Sequence, residues 1–126
     1  RFNDFYGHSV GDTILKKLGA LLKEEVRKID HVFRYGGEEF TILLPETTLA
    51  AALTLAERIH RRINEAAFVT SEKKRKLKVT ASLGITDSEG HKSTDTIIQA
   101  LDQSLYLSKQ SGRNCIRTSL DLKQGI

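Results

Sequence analysis

An α+β fold, with a central and mainly antiparallel sheet flanked by helices, is the class this 126-residue chain predicts. Three observations lead there. Three stretches repeat apolar residues at helical period, residues 77–86 alternate with the period of two of a half-buried strand, and glycines 36 and 37 divide two runs rich in β-branched and aromatic residues. Strands interleaved with helices bury their apolar faces on one another as a sheet covered by helices. The length suits one domain with a single core, over residues 1–119, followed by a tail at 120–126.

Taken in order, residues 1–12 mix charged, aromatic and amide side chains, and Ser9 or Asp12 suits the cap of the first helix. Ile14, Leu15, Leu18, Leu21, Leu22, Val26 and Ile29 make its apolar stripe, which predicts a helix ending near Asp30. Residues 32–35 and 40–44 read as the strands of a hairpin, with Gly36 and Gly37 in a tight primed turn and Pro45 closing the second strand. Thr47 or Thr48 caps a second helix with Leu49, Ala52, Leu53, Ala56, Ile59 and Ile63 inward. In the strand at 77–86, Gly84 signals a kink or a close approach of another backbone. Residues 87–93 read as a surface turn. A third helix from about Thr94 to Lys109 buries Ile97, Ile98, Leu101 and Leu105 and is stopped by Gly112. A short strand at 114–118 and a frayed end from Asp121 complete the chain.

Composition narrows the function classes. No apolar run approaches the roughly 18 residues of a membrane span, and no signal peptide opens the sequence. The single Cys115 fits a reducing cytoplasm, and the four histidines show no zinc spacing. A net charge of +4 suits an anionic partner. Much of that charge sits in Lys73, Lys74, Arg75, Lys76 and Lys78, with no aromatic interleaved for stacking on bases, so a solvated loop is the reading and nucleic acid is not the expected partner.

The chemistry concentrates at Gly36-Gly37-Glu38-Glu39. Glycines let a phosphate reach backbone N–H groups, and a carboxylate beside them can hold the divalent cation that a polyphosphate brings. On a strand, Glu38 and Glu39 point to opposite faces, so one serves a site and the other the scaffold. Local chemistry alone leaves open an ordinary Gly-Gly turn with charged edge residues.

Further blocks decide between them. GGEEF resembles the signature of the diguanylate cyclase, or GGDEF, family; Asn3, Asp4, Gly7, His8, Gly11 and Asp12 resemble its NDxxGHxxGD; Arg27 and Asp30 its RxxD; and Tyr106, Lys109, Gly112, Arg113 and Asn114 its YxxKxxGRN. The resemblance implies an α/β sandwich similar to the nucleotidyl cyclase and polymerase palm fold. It implies condensation of two GTP, held on two subunits of a homodimer, into cyclic dimeric GMP and two pyrophosphates. Asn3 and Asp12 then read guanine, with His8 nearby in the same substrate-binding stretch, Gly36 and Gly37 approach the polyphosphate, and Lys109 and Arg113 hold the β and γ phosphates. Glu38 is the expected catalytic residue and magnesium ligand, with Glu39 second and manganese a substitute metal. Arg27, Asp30 and Arg58 form the implied product-inhibition site, where Ala51 departs from an acidic residue of some members. An upstream sensor domain and a membrane-anchored parent are both compatible with this.

The sequence lacks a first core strand that the resemblance places before Arg1, and with it an aspartate that ligates magnesium. The expectation is therefore an active parent and a fragment with little or no cyclase activity. The alternatives are a non-catalytic receptor for cyclic dimeric GMP, using Arg27, Asp30 and Arg58, and a general anion-binding or nucleic-acid module built on the basic loop.

Overall fold

The computed structural model describes residues 8–69 and 76–123, and these have the α+β class that the sequence predicts, with their strands paired in three two-stranded ladders in place of one central sheet. Asn3 and Lys73 to Arg75 lie outside the described residues. The chain groups into two compact units, Arg1–Glu46 with Glu65–Val79 and Thr47–Asn64 with Thr80–Ile126. No helix among the described residues is long and apolar enough to cross a membrane.

In the first unit, helix α1 spans His8–Glu25 and buries Val10, Ile14, Leu15, Leu21 and Leu22 along one face. Because Val10 joins that stripe, Ser9 and Asp12 lie inside the helix rather than capping it. The helix also stops short of Asp30. A turn takes over, in which the Asp30 N–H donates to the Arg27 carbonyl at 3.0 Å and the Arg27 N–H donates to the Asp30 carboxylate at 2.8 Å. Ile29 consequently leaves the helical stripe and is 52 % exposed.

Strand β1 (His31–Arg34) pairs antiparallel with β2 (Phe40–Leu43), in a register that sets His31 opposite Leu43 and Arg34 opposite Phe40. The Phe40 ring lies against α1 at Gly19, where even a methyl group would stand 3.3 Å from the ring edge. The second hairpin of this unit, β3 (Phe68–Val69) with β4 (Lys76–Leu77), pairs the buried Phe68 and Leu77 directly and was not legible in the pattern. The Lys17 ammonium donates to the Val69 carbonyl. The strand predicted over 77–86 is thus divided: Leu77 belongs to this ladder, residues 83–85 join a different one, and residues 78–82 between them belong to neither. Alternation reports which side chains share a face and carries no information on the partner strand.

In the second unit, α2 spans Leu49–Glu65, with Ala52, Ala56, Ile59 and Ile63 buried as the periodicity predicts. Thr48 is its cap, its hydroxyl accepting from the Ala51 N–H at 3.1 Å. Strand β5 (Leu83–Ile85), helix α3 (Thr94–Gln110) and strand β6 (Ile116–Thr118) make a β-α-β unit, with β5 and β6 parallel and Gly84 beside Arg117. Ser93 caps α3, accepting from the Thr96 N–H at 3.3 Å.

The buried face of α3 differs from the apolar one predicted. Ser104 and Ser108 are fully buried, whereas Ile98 is 44 % exposed. Gly84 explains this: a Cβ there would fall 2.3 Å from the Leu105 nitrogen and 2.8 Å from the Ser104 carbonyl carbon. Strand and helix backbones touch, and only small side chains fit along that seam. The serine hydroxyls are satisfied within their own helix, Ser104 donating to Ala100 O at 2.8 Å and Ser108 to Leu105 O at 2.7 Å.

Of the end predicted to fray, residues 121–123 belong to a short helix, α4 (Ser119–Lys123), and residues 124–126 lie outside the described residues. Thr118 and Asp121 cap it reciprocally: the Asp121 carboxylate accepts from the Thr118 N–H at 2.8 Å, and the Thr118 hydroxyl accepts from the Leu120 N–H at 3.2 Å.

Gly84→Ala tests the seam. The added methyl meets backbone that cannot rotate away, so a loss of roughly 1–3 kcal/mol or more is expected in chemical denaturation; unchanged stability would show that the two backbones do not meet as described.

Candidate functional site

The hairpin tip carries the first group of candidate residues. The Tyr35 N–H donates to the Glu39 carbonyl at 2.7 Å, which extends the β1–β2 ladder by one bond and leaves Gly36, Gly37 and Glu38 as the bend. This differs from the two-residue primed turn predicted: Gly36 has φ +71°, while Gly37 lies outside the left-handed range. Glu38 and Glu39 accordingly stand before β2 and not on it, so the alternation of strand faces does not separate them. Both are exposed, on adjacent residues of one loop.

A residue that sequence reasoning passed over holds this loop in shape. The Arg34 guanidinium donates twice to the Gly37 carbonyl, from Nε at 2.9 Å and from a terminal nitrogen at 2.7 Å. One carbonyl oxygen thereby receives two charge-assisted bonds, which fixes the peptide between the glycines and the carboxylates. The available signal was a lone arginine at the end of β1, three residues before that carbonyl. A methyl group at Gly36 or Gly37 would meet nothing within 4 Å, so no packing against the protein calls for glycine at either position. Only the backbone conformation of Gly36 does.

Glu38 and Glu39 are also the donors to test for a metal. Among the described residues, no group of three or more His, Cys, Asp and Glu side chains could hold one. Two neighbouring carboxylates in an open loop nevertheless match what magnesium uses when substrate phosphates and water complete its shell. Asp12 lies exposed on α1, and His8 is that helix's first residue, its side chain outside what is described.

Arg27 and Asp30 are brought together by the turn after α1. Arg27 reaches Asp30 from a terminal guanidinium nitrogen at 2.9 Å and from Nε at 3.2 Å, and the first of these also donates to the Pro45 carbonyl at 2.9 Å. The pair is asymmetric, with the Arg27 side chain 53 % exposed and that of Asp30 2 %. The Arg27 side-chain hydrogen bonds hold the Asp30 carboxyl below the usual carboxylate range, against the opposing effect of burial. Arg58 is exposed on α2, in the second unit.

The second unit also carries Lys109 and Arg113. Lys109 is half-buried in the last turn of α3. Arg113 does not share its helical face, as a spacing of four predicts, because the helix ends at Gln110 and the backbone reverses: Gly112, Arg113 and Asn114 have φ of +103°, +60° and +46°. The Arg113 N–H closes the reversal on Ser108 O at 3.1 Å. Left-handed backbone costs a side-chain-bearing residue about 1–2 kcal/mol, so this conformation needs holding from outside. Asn114 is held on both sides, its N–H donating to the Ser82 hydroxyl at 3.2 Å and its side-chain oxygen accepting from His60 Nε2 at 2.9 Å.

Comparison with known proteins agrees with the blocks read in the sequence. The family model for the diguanylate cyclase GGDEF domain matches residues 1–115. Diguanylate cyclase DgcM of Escherichia coli is 46 % identical over 112 residues, covering 89 % of this chain and 26 % of the relative. Among solved structures, diguanylate cyclase SiaD of Pseudomonas aeruginosa, in complex with its activator SiaC, superposes with a TM-score of 0.84 at 33 % identity, covering 92 % of this chain and 44 % of that one. The active GGEEF domain of a diguanylate cyclase from Vibrio cholerae gives a TM-score of 0.73 at 30 % identity, covering 93 % and 73 %. The chain spans about a quarter of the length of the curated relatives it matches first.

Two outcomes follow from the geometry. Because the folded-state value of Asp30 lies below its unfolded one, the Arg27–Asp30 pair contributes fully above the ordinary carboxylate value of about 4 and fades as pH falls through the lower folded value. Urea midpoints between pH 6 and pH 2 are therefore expected to fall more steeply for the unsubstituted chain than for Asp30→Asn, and parallel curves would contradict the pairing. Gly36→Ala is expected to cost about 1–2 kcal/mol through its positive φ alone, and Gly37→Ala to stay within about 0.5 kcal/mol, both read by denaturant unfolding.

Proposed function

The chain belongs to the diguanylate cyclase family as one of its GGDEF domains, and from that premise we propose that the protein carrying it joins two GTP into cyclic dimeric GMP, releasing two pyrophosphates. The observation that carries the reading is the hairpin tip, where two glycines open to solvent adjoin two exposed carboxylates on a loop braced by Arg34. Glutamate in the third place of the motif is compatible with activity, since an active GGEEF domain is among the similar structures.

Each 3′-hydroxyl attacks the α-phosphorus of the other GTP; a bond forms from the 3′-oxygen to phosphorus as the bond to the β-phosphate oxygen breaks, and the hydroxyl proton passes to a base. Glu38 is that base and a metal-holding carboxylate, with Glu39 beside it. Magnesium, or manganese in its place, supplies when bound the positive charge that polarises the phosphate and acidifies the hydroxyl. The N–H groups around Gly36 and Gly37 approach the polyphosphate, Lys109 and Arg113 neutralise the β and γ phosphates, and Asn3, His8 and Asp12 receive the guanine end. Condensation requires two nucleotides face to face, which two copies of the domain supply.

Product inhibition belongs to the same proposal. The exposed Arg27 guanidinium, set by a buried carboxylate, suits the phosphate and base of a cyclic dinucleotide, with Arg58 as a second cation. The receptor reading uses this pair without turnover, so the two readings differ in whether Glu38 matters.

The test is incorporation of labelled GTP into cyclic dimeric GMP by the protein carrying this domain. Glu38→Gln is expected to lower kcat by about 10²-fold or more, while calorimetric binding of cyclic dimeric GMP persists and is lost in Arg27→Ala. Binding without turnover in the unsubstituted protein would establish the receptor reading instead. Gly37→Ala is expected to weaken GTP binding without loss of stability; unchanged affinity would count against phosphates approaching the loop.

A further inference from the structure

We propose that His60 is a positioning residue, which holds Asn114 and through it the left-handed turn that presents Arg113 to the terminal phosphates. The purpose assigned to it rests on the reading of Arg113 as a phosphate ligand given above; the hold itself rests on geometry alone. Three consecutive residues, Gly112, Arg113 and Asn114, have left-handed backbone, and only the first is glycine. Such a segment persists where surrounding groups over-determine it.

Two of the holding contacts are made to backbone N–H groups from nearby structure: Arg113 to Ser108 O at the end of α3, and Asn114 to Ser82 Oγ just before β5. The third comes from a separate helix. His60, on α2, donates from Nε2 to the Asn114 side-chain oxygen at 2.9 Å across 54 positions of sequence.

The imidazole also has a neighbour on its own helix. The Asn64 amide nitrogen lies beside the ring, 3.3 Å from Nε2 and 3.5 Å from Nδ1, and donates to the His60 carbonyl at 3.1 Å. Asn64 stands one helical turn further along α2, so this neighbour is delivered by the helix itself. The pair His60 and Asn114 resembles in logic the outer partners that aim a functional group without touching its ligand. Arg113 meets the phosphate, and His60 limits where its backbone can go.

The experiment compares His60→Ala, His60→Gln and Asn114→Gly with the unsubstituted chain in two readouts: amide hydrogen exchange at residues 113–115 by NMR, and titration with inorganic pyrophosphate. In His60→Ala, exchange is expected to quicken about tenfold and the pyrophosphate Kd to rise about fivefold, the size of one lost hydrogen bond. His60→Gln retains an N–H donor at similar reach and is expected to stay within about twofold on both. Asn114→Gly removes the acceptor while keeping left-handed freedom, and combining it with His60→Ala is expected to add no further weakening, as for two ends of one bond. Unchanged exchange in His60→Ala, full loss in His60→Gln, or additive effects in the pair would overturn the hold. Absence of pyrophosphate binding by the unsubstituted chain would overturn the phosphate reading, and with it the purpose assigned to His60, while the exchange data still judge the contact itself.

Discussion

At Gly84 the backbone of β5 meets the backbone of α3 with no side chain between them, and the second unit is organised by that approach. Close-packed interiors transmit such a constraint. Ser104 and Ser108 occupy the seam because larger side chains do not fit, their hydroxyls turn back to their own helix, and β6 lies parallel to β5 in a fixed register. The end of α3 is thereby set, and with it the reversal at Gly112 where Lys109 and Arg113 stand. Two cations are thus placed by a contact made by Gly84, Ser104 and Leu105, which carry no charge.

The first unit solves a different problem. Its hairpin carries the motif glycines and carboxylates at an exposed tip, where few apolar contacts restrain the chain. The Arg34 fork on the Gly37 carbonyl and the Tyr35 to Glu39 backbone bond supply rigidity without covering the surface. Two carboxylates of this unit illustrate the division of labour. Asp30 is buried, accepts three hydrogen bonds from Arg27 and is held ionised by them. Glu38 stands exposed at the tip, where a cation and a phosphate can reach it.

Much of this was legible beforehand. The stripes Ala52, Ala56, Ile59 and Ile63 on α2 and Ile14, Leu15, Leu21 and Leu22 on α1 follow from period alone, Thr48 and Gly112 from cap chemistry, and the hairpin, though not the three-residue bend that sets its register, from the paired glycines. Gly84 was marked as either a kink or a place of close approach, and the close approach is what the structure has. The misreadings share one cause, which is that local pattern does not report partners. Alternation over 77–86 missed that Leu77 pairs with Phe68 while Leu83 pairs with Ile116. Helical spacing put Lys109 and Arg113 on one face, although left-handed backbone intervenes. Strand alternation separated Glu38 from Glu39, although both precede the strand.

By itself, then, the sequence determined the family, the α+β class and the apolar stripes, and it supplied the residue types on which the proposed function rests, because these depend on side-chain chemistry and on periods of two and 3.6 residues. Tertiary structure alone decided which carbonyl Arg34 grips, that Asp30 is buried against Arg27, that serines line the seam of α3, and that His60 reaches Asn114. Those outcomes depend on distances between residues far apart in the chain, or on the direction the backbone takes after a turn. Neither quantity is carried by the spacing of letters.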